Sequence, residues 1–163
     1  VSIFDLLGKI GNAVFEQAQK HHAQQLRQYS KSASEGKTHR IGGKTLGEWE
    51  SSWQPIGILA IASLSKYASF VGLYRARLNG KIVYVGRAVE HSNGGFRKRL
   101  SDYRRSSDSA RRHKSGQLMN QHADQLYIEI LVTGSDAEAA RVAVKLEPYF
   151  IGLHSPKWNK MLK

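Results

Sequence analysis

The segment Phe70 to Ala88 restricts the fold more than any other part of the chain. Phe70 to Arg77 and Lys81 to Ala88 are each rich in Val, Ile and Tyr, and the connection Leu78-Asn79-Gly80 carries the Asn-Gly pair that tight hairpin turns favour. The reading is two antiparallel strands. Within them stand two short tyrosine-bearing runs, Gly72-Leu73-Tyr74 and Tyr84-Val85-Gly86, ten residues apart. Packing alone gives little reason for that pair, and the residues that follow are strongly basic.

The rest of the pattern surrounds this hairpin with helices. Ile3, Leu6, Leu7, Ile10, Val14, Phe15 and Ala18 recur at three- and four-residue steps, predicting an amphipathic helix over residues 3–28. Residues 30–44, rich in Ser, Gly and Lys, read as a linker. Thr45 with Glu48 resembles a capping box for a short helix bearing Trp49 and Trp53, and the apolar run from Pro55 to Ala68 is expected to be a buried helix. Beyond the hairpin, Asn93 to Arg105 reads as a basic helix and Gln117 to Ala123 as a shorter one. Leu126, Ile128, Ile130 and Val132 alternate as a third strand. Ser135 with Glu138 predicts a second capping box, opening a helix that buries Ala139, Val142, Ala143, Leu146 and Phe150. The order strand, strand, helix, strand, helix gives a small α+β domain from residue 70 to 163, with a helical extension over residues 1–69.

Composition narrows the chemistry. The chain has 163 residues and a net charge of +12, concentrated from Gly72 onward, where 17 Lys/Arg face 8 Asp/Glu. Arg97, Lys98, Arg99, Arg104, Arg105, Arg111, Arg112 and Lys114 fall within eighteen residues, opposed only by Asp102 and Asp108. Such a cluster reads as a solvated helix face or as a polyanion site. The lack of cysteine removes disulfides, thiolate zinc sites and cysteine nucleophiles together. The longest apolar stretch, Pro55 to Leu64, is too short to cross a bilayer, and Val1 to Gly11 lacks the pattern of a secretory leader, so the expected setting is the cytoplasm.

Phosphodiester hydrolysis needs an activated water, a partner for the phosphoryl oxygens and stabilisation of the leaving oxyanion. Glu147, near the end of an apolar helix, is either a helix-end surface acid or a cation ligand. Arg99 is one more exposed arginine or a phosphate fork. Tyr74 and Tyr84 are strand-face aromatics or catalytic phenols, and a phenol with a pKa near 10 needs adjacent positive charge to act as a base.

Taken together, these residues resemble the GIY-YIG endonuclease superfamily, in the pattern of its excision-repair members, over Val71 to Asn159. Gly72-Leu73-Tyr74 and Tyr84-Val85-Gly86 stand where its two signature motifs belong, and Arg87-Ala88 resembles the basic-small pair after the second. Arg99-Leu100-Ser101-Asp102-Tyr103 looks like the Arg-Leu-x-x-Tyr helix motif, Glu147 falls at the family's metal-binding glutamate, and Asn159 at its terminal asparagine. The resemblance implies a three-stranded antiparallel sheet flanked by helices and a one-metal nuclease using Mg²⁺ or Mn²⁺, leaving 5′-phosphate and 3′-hydroxyl ends. It implies that Tyr74 takes the proton from water, that Glu147 holds the ion beside the leaving 3′ oxygen, and that Arg99 holds the scissile phosphate. Tyr84 and Tyr103 would orient phosphate or water, Arg87 would lower the pKa of Tyr74 by its charge, and Asn159 would anchor the chain end or a phosphate.

Nucleic acid, DNA by the resemblance, is the expected partner, with Arg97, Lys98, Arg104, Arg105, Arg111, Arg112, His113 and Lys114 as contacts. Residues 1–30 are the expected place for a homodimer or protein contact. A catalytically silent binding module is one alternative; an antibacterial or antiphage toxin whose N-terminal segment serves delivery or immunity binding is another. Two segments depart from the compact repair-type pattern: Arg87 to Lys98, and Ser106 to Asp124, whose His113-Lys114-Ser115-Gly116 run would line a nucleic-acid channel. Pro148 directly after Glu147 is expected to disturb the helix there. Gly42-Gly43-Lys44-Thr45 is not a phosphate loop, because Thr38 stands where the first glycine is required. His21, His22, His39 and His91 have no convincing metal spacing. Trp49, Trp53 and Trp158 are base-stacking candidates or core.

Overall fold

The computed structural model describes residues 40–105 and 113–160, together with Gln17, Lys20, His21, Ala23, Gln24 and Arg27, which are helical and exposed. The rest of the helix expected over 3–28, most of the linker, and Arg111 and Arg112 lie outside the described residues.

The Asn-Gly hairpin forms as read. Strands β4 (Val71–Leu78) and β5 (Lys81–Ala88) pair antiparallel around Asn79 and Gly80. Both turn residues have positive φ, 51° and 77°, the geometry that matches the twist of a two-residue hairpin. Strand β6 (Tyr127–Gly134) pairs with the other side of β4. The sheet has a fourth strand, β3 (Gln54–Ile58), so the expected three-stranded sheet is corrected to the order β3-β6-β4-β5.

β3 lies in the apolar run that was expected to be a buried helix. A run of that length suits either element, and Pro55 and Gly57 decide it. Pro55 cannot donate to a ladder and sits on an edge strand, where that costs little. Gly57, with φ of 103°, lies at a register shift. The chain then turns, with the amides of Leu59 and Ala60 bonded to the carbonyls of Leu126 and Ala123, and passes through a 3-10 turn at Ser65–Tyr67. β3 precedes residue 70, so the sheet draws on both sides of that position.

Upstream, β1 (Arg40–Ile41) and β2 (Lys44–Thr45) form a minute hairpin turning on Gly42-Gly43. The capping box of α1 (Leu46–Glu50) is present: Thr45 Oγ1 accepts from the Glu48 amide at 3.2 Å, and Glu48 accepts from the Thr45 amide at 2.6 Å. Helices α2 (Gly95–Arg104) and α3 (Lys114–Gln121) follow β5, and α4 (Ala137–His154) closes the domain before a 3-10 turn at Lys157–Lys160. The cap of α4 is Asp136 rather than Ser135: Asp136 Oδ1 accepts from the Ala139 amide at 2.8 Å. A carboxylate one residue nearer the helix also favours the positive end of its dipole. α4 runs unbroken through Pro148. The missing amide frees the carbonyl of Val144, a 44% exposed residue on the outer side of the helix.

Alternation along the strands divides the core between two faces. Tyr74, Ala76, Tyr84, Ile128 and Ile130 pack with Phe96, Leu100 and Met119 of α2 and α3. Leu73, Val85 and Leu131 pack with Leu46 and Trp49 of α1 and with Val142, Leu146 and Phe150 of α4. The tryptophans serve the core. Trp49 is buried and donates to the Ile41 carbonyl, Trp53 meets Phe150 edge-on, and Trp158 is buried against His122. Among the described residues no helix is long and apolar enough to cross a membrane.

Candidate active site

An open cleft of about 260 Å³ lies where α2, α3 and α4 approach the free edge of β5. It gathers Tyr74 from β4, Tyr84 and Arg87 from β5, Arg99, Asp102 and Tyr103 from α2, His113, Ser115 and Gly116 at the start of α3, and Glu147 from α4.

The glycines of the two motifs make this convergence possible. Tyr74 lies opposite Gly86 in the ladder, and a Cβ on Gly86 would stand 2.5 Å from the Tyr74 hydroxyl and 2.9 Å from the Tyr84 ring. Only glycine leaves room for both rings. Gly72 has φ of 153° at a register shift, and a Cβ there would overlap the Leu131 carbonyl on β6. A bulge in β5 is equally decisive. Ile82 pairs with Arg77 and Tyr84 with Ala76, so Val83 between them has no partner. The inserted residue brings Tyr84 onto the same sheet face as Tyr74.

The three phenols form one buried group. Tyr74 and Tyr103 share a 2.5 Å contact between hydroxyl oxygens, and their rings meet at 61°. Tyr103 also interacts with the Tyr84 hydroxyl, and Tyr84 with Ser115, itself 6% exposed. Burial pushes the pKa of all three phenols above the usual value near 10, most strongly for Tyr74, so each keeps its proton at neutral pH. The cation that opposes this at Tyr74 is Arg99. The charge of Arg87, expected to act on Tyr74, is paired instead with Glu147 within the same cleft, Nη1 to Oε1 at 3.0 Å. Strand parity explains the change, since Arg87 lies opposite Leu73, whose face is covered by α4.

Arg99 is half-buried, with Nη2 3.4 Å from Glu90 Oε1 and its Nε buried without a hydrogen-bond partner. Burial pulls its pKa down, but the surrounding phenols and Glu90 outweigh that and raise it further. Glu147, with its side chain 18% exposed, faces the cleft beside Arg87 and close enough to Tyr84 to disfavour phenolate there.

Asn159 is not in the cleft. Its Oδ1 accepts from the Val85 amide and its Nδ2 donates to the Val85 carbonyl, both at 2.8 Å, so it clamps the free edge of β5. Of the expected nucleic-acid contacts, His113 lines the cleft mouth and Lys114 begins α3. Arg104 turns inward instead: Nε donates to the Leu59 carbonyl at 2.6 Å and Nη2 to that of Ala62, which tie α2 to the turn after β3. Its charge is used in folding. Sequence reasoning passed over Asp102, Ser115 and Glu90 as individual site residues. The Arg-Leu-x-x-Tyr spacing already places Asp102 beside Tyr103, whereas Ser115 and Glu90 are recognisable only through contacts distant in the chain.

A half-buried arginine, three linked phenols and a carboxylate thus line one polar cleft. The chain belongs to the GIY-YIG family: residues 71–160, just over half of it, match the UvrC-like GIY-YIG domain. GIY-YIG domains are nuclease domains, so nucleic acid is the substrate class and nuclease the activity that membership carries. No curated protein and no solved structure matches the chain.

Proposed function

We propose that the chain is a divalent-metal-dependent endonuclease that hydrolyses phosphodiester bonds of DNA, with Tyr74 receiving the proton of the attacking water. The observation that carries this reading is the convergence of Tyr74, Tyr84, Arg99, Tyr103 and Glu147, from four separate elements, on one cleft.

Among the described residues no three His, Cys, Asp or Glu side chains gather as a ligand set. That excludes an all-protein cage there but suits Mg²⁺ or Mn²⁺, hard ions content with one or two carboxylates, a substrate phosphate and retained waters. Glu147 would hold one such ion, with Arg87 orienting its carboxylate. The ion would supply positive charge to the leaving 3′ oxygen.

The chain's own groups account for the remaining steps. Arg99, which lines the cleft, binds a non-bridging phosphate oxygen by charge-assisted hydrogen bonds from its guanidinium. Tyr74 holds one proton at neutral pH and can take another from water only as it gives its own away. The 2.5 Å contact to Tyr103 is the exit, continuing through Tyr84 to Ser115 in the cleft. Water oxygen then bonds to phosphorus, the bond from phosphorus to the 3′ oxygen breaks, and the released oxyanion takes a proton from solvent. Tyr103 and Tyr84 are thus relay groups, and Asn159 supports them by holding β5.

Cleavage of supercoiled plasmid by the full chain with Mg²⁺ tests the reading. Glu147→Gln and Tyr74→Phe each keep side-chain shape and should lower the rate at least about 100-fold, as loss of a general base or metal ligand does. Undiminished cutting by the Glu147 variant would refute the metal assignment.

A further inference from the structure

A second groove, of about 380 Å³, is lined by Asn93, Gly94, Arg97, Lys98, Ser101 and Arg105, all at the start of or along α2. The cleft residues Arg99 and Tyr103 belong to the same helix. Arg97 and Ser101 each lie two positions from Arg99, and Arg105 two from Tyr103, which at about 100° per residue puts the two sets on opposite sides of the helix. Among the described residues that line it, the groove has three cations and no carboxylate. Lys98 is paired with Glu90 at 2.6 Å, and Glu90 also reaches Arg99 at 3.4 Å, so this one acid balances a cation from each side. Among the described residues, Arg97 and Arg105 have no ion pair and are exposed. Three cations along one groove repel one another unless an anion lies among them.

We infer that this groove seats a second backbone phosphate of the nucleic acid whose scissile phosphate lies in the cleft, so that α2 is inserted between two phosphates and touches one on each side. A helix with its side chains is about 10–12 Å across, which sets the spacing of the two anions. The inference rests on the nuclease reading for the cleft and assigns the substrate contacts beyond it: Arg97 and Arg105 with the helix-flanking Lys98, and not Arg104, which does not line the groove and is tied to the carbonyls of Leu59 and Ala62.

The test is binding by the full chain of a fluorescent oligonucleotide, followed by anisotropy over a range of salt in EDTA, where no cutting occurs. Arg97→Ala/Arg105→Ala should lower the slope of log affinity against log salt by about 0.9 on duplex and about 0.7 on single strands, the yield of one phosphate contact. Arg97→Lys/Arg105→Lys should keep the slope, and Lys81→Ala, at the far hairpin turn, should leave it unchanged. Loss on both substrates assigns the phosphate to the cut strand; loss on duplex alone assigns it to the complementary strand. An unchanged slope on both, or an equal loss in Lys81→Ala, overturns the inference. Because no cleavage is measured, that result leaves the nuclease reading intact, and a chain that binds in this way but never cuts fails that reading alone.

Discussion

Replacing Asn159 separates a structural clamp from a catalytic group. β5 is an edge strand, paired with β4 on one side only. Asn159 takes the place of a further strand at Val85, satisfying both its amide and its carbonyl at 2.8 Å. Val85 is 1% exposed, so these groups gain little from solvent when the side chain is removed. Two hydrogen bonds at a net of about 1 kcal/mol each make Asn159→Ala destabilising by about 2 kcal/mol, or a fall in melting temperature of about 4–8 °C for a chain of this size. Asn159→Asp should be no better: one oxygen still accepts from the amide, but the other faces the Val85 carbonyl with no proton between them. Urea unfolding followed by circular dichroism gives the stability. Cleavage at a temperature where each variant stays folded gives the activity. Both variants should lose stability and retain measurable cutting. If Asn159→Ala unfolds like the wild type while cutting is abolished, the clamp argument is wrong and Asn159 contacts the reacting phosphate.

Gly86→Ala should cost about 1–3 kcal/mol, as overpacking does, and should reduce cleavage more than it reduces stability, because the methyl group displaces Tyr74 and Tyr84 together; kinetics beside urea melts decide it. Arg104→Ala should lower stability through lost bonds to Leu59 and Ala62 while leaving the salt dependence of DNA binding unchanged, which anisotropy titrations measure. The buried phenols predict a base-labile fold. Below pH 10 they are protonated in both states, but above it the unfolded chain releases protons that the native chain keeps. Each such tyrosine therefore removes about 1.4 kcal/mol of stability per pH unit above 10. Unfolding free energies at pH 9, 10 and 11 should show that downturn, with a shallower slope in Tyr103→Phe.

What was legible in the chain was what short-range chemistry determines. Asn79-Gly80 specified its turn, Thr45 and Glu48 their capping box, and the apolar spacing from Ala139 to Phe150 the buried side of α4. Contacts between distant segments were not legible. Arg104 looks like any neighbour in its basic run, and its role is set by two carbonyls more than forty residues earlier. The residues of β3 have the apolar content of a helix, and their partner is β6, about seventy residues later. The choice of Asp136 over Ser135 as a cap lies between, since both can cap and the register of α4 selects one.

The pairing of the two tyrosine motifs shows this boundary at one residue. A two-residue turn at Asn79-Gly80, continued without interruption, sets Tyr74 opposite Val85 and sends Tyr84 to the other face of the sheet. Paired residues in an antiparallel ladder share a face, and faces alternate along each strand. Signature motifs on opposite faces could not form one site. The observed register begins as the turn dictates, Leu78 with Lys81 and Arg77 with Ile82, and then slips by one at Val83, so that Ala76 meets Tyr84 and Tyr74 meets Gly86. The bulge thus unites Tyr74, Tyr84 and the space left by Gly86 on the side covered by α2. It also sets Arg87 on the α4 side of the strand, where it pairs with Glu147. One unpaired residue in β5 therefore determines both which groups can exchange protons and which cation accompanies the carboxylate.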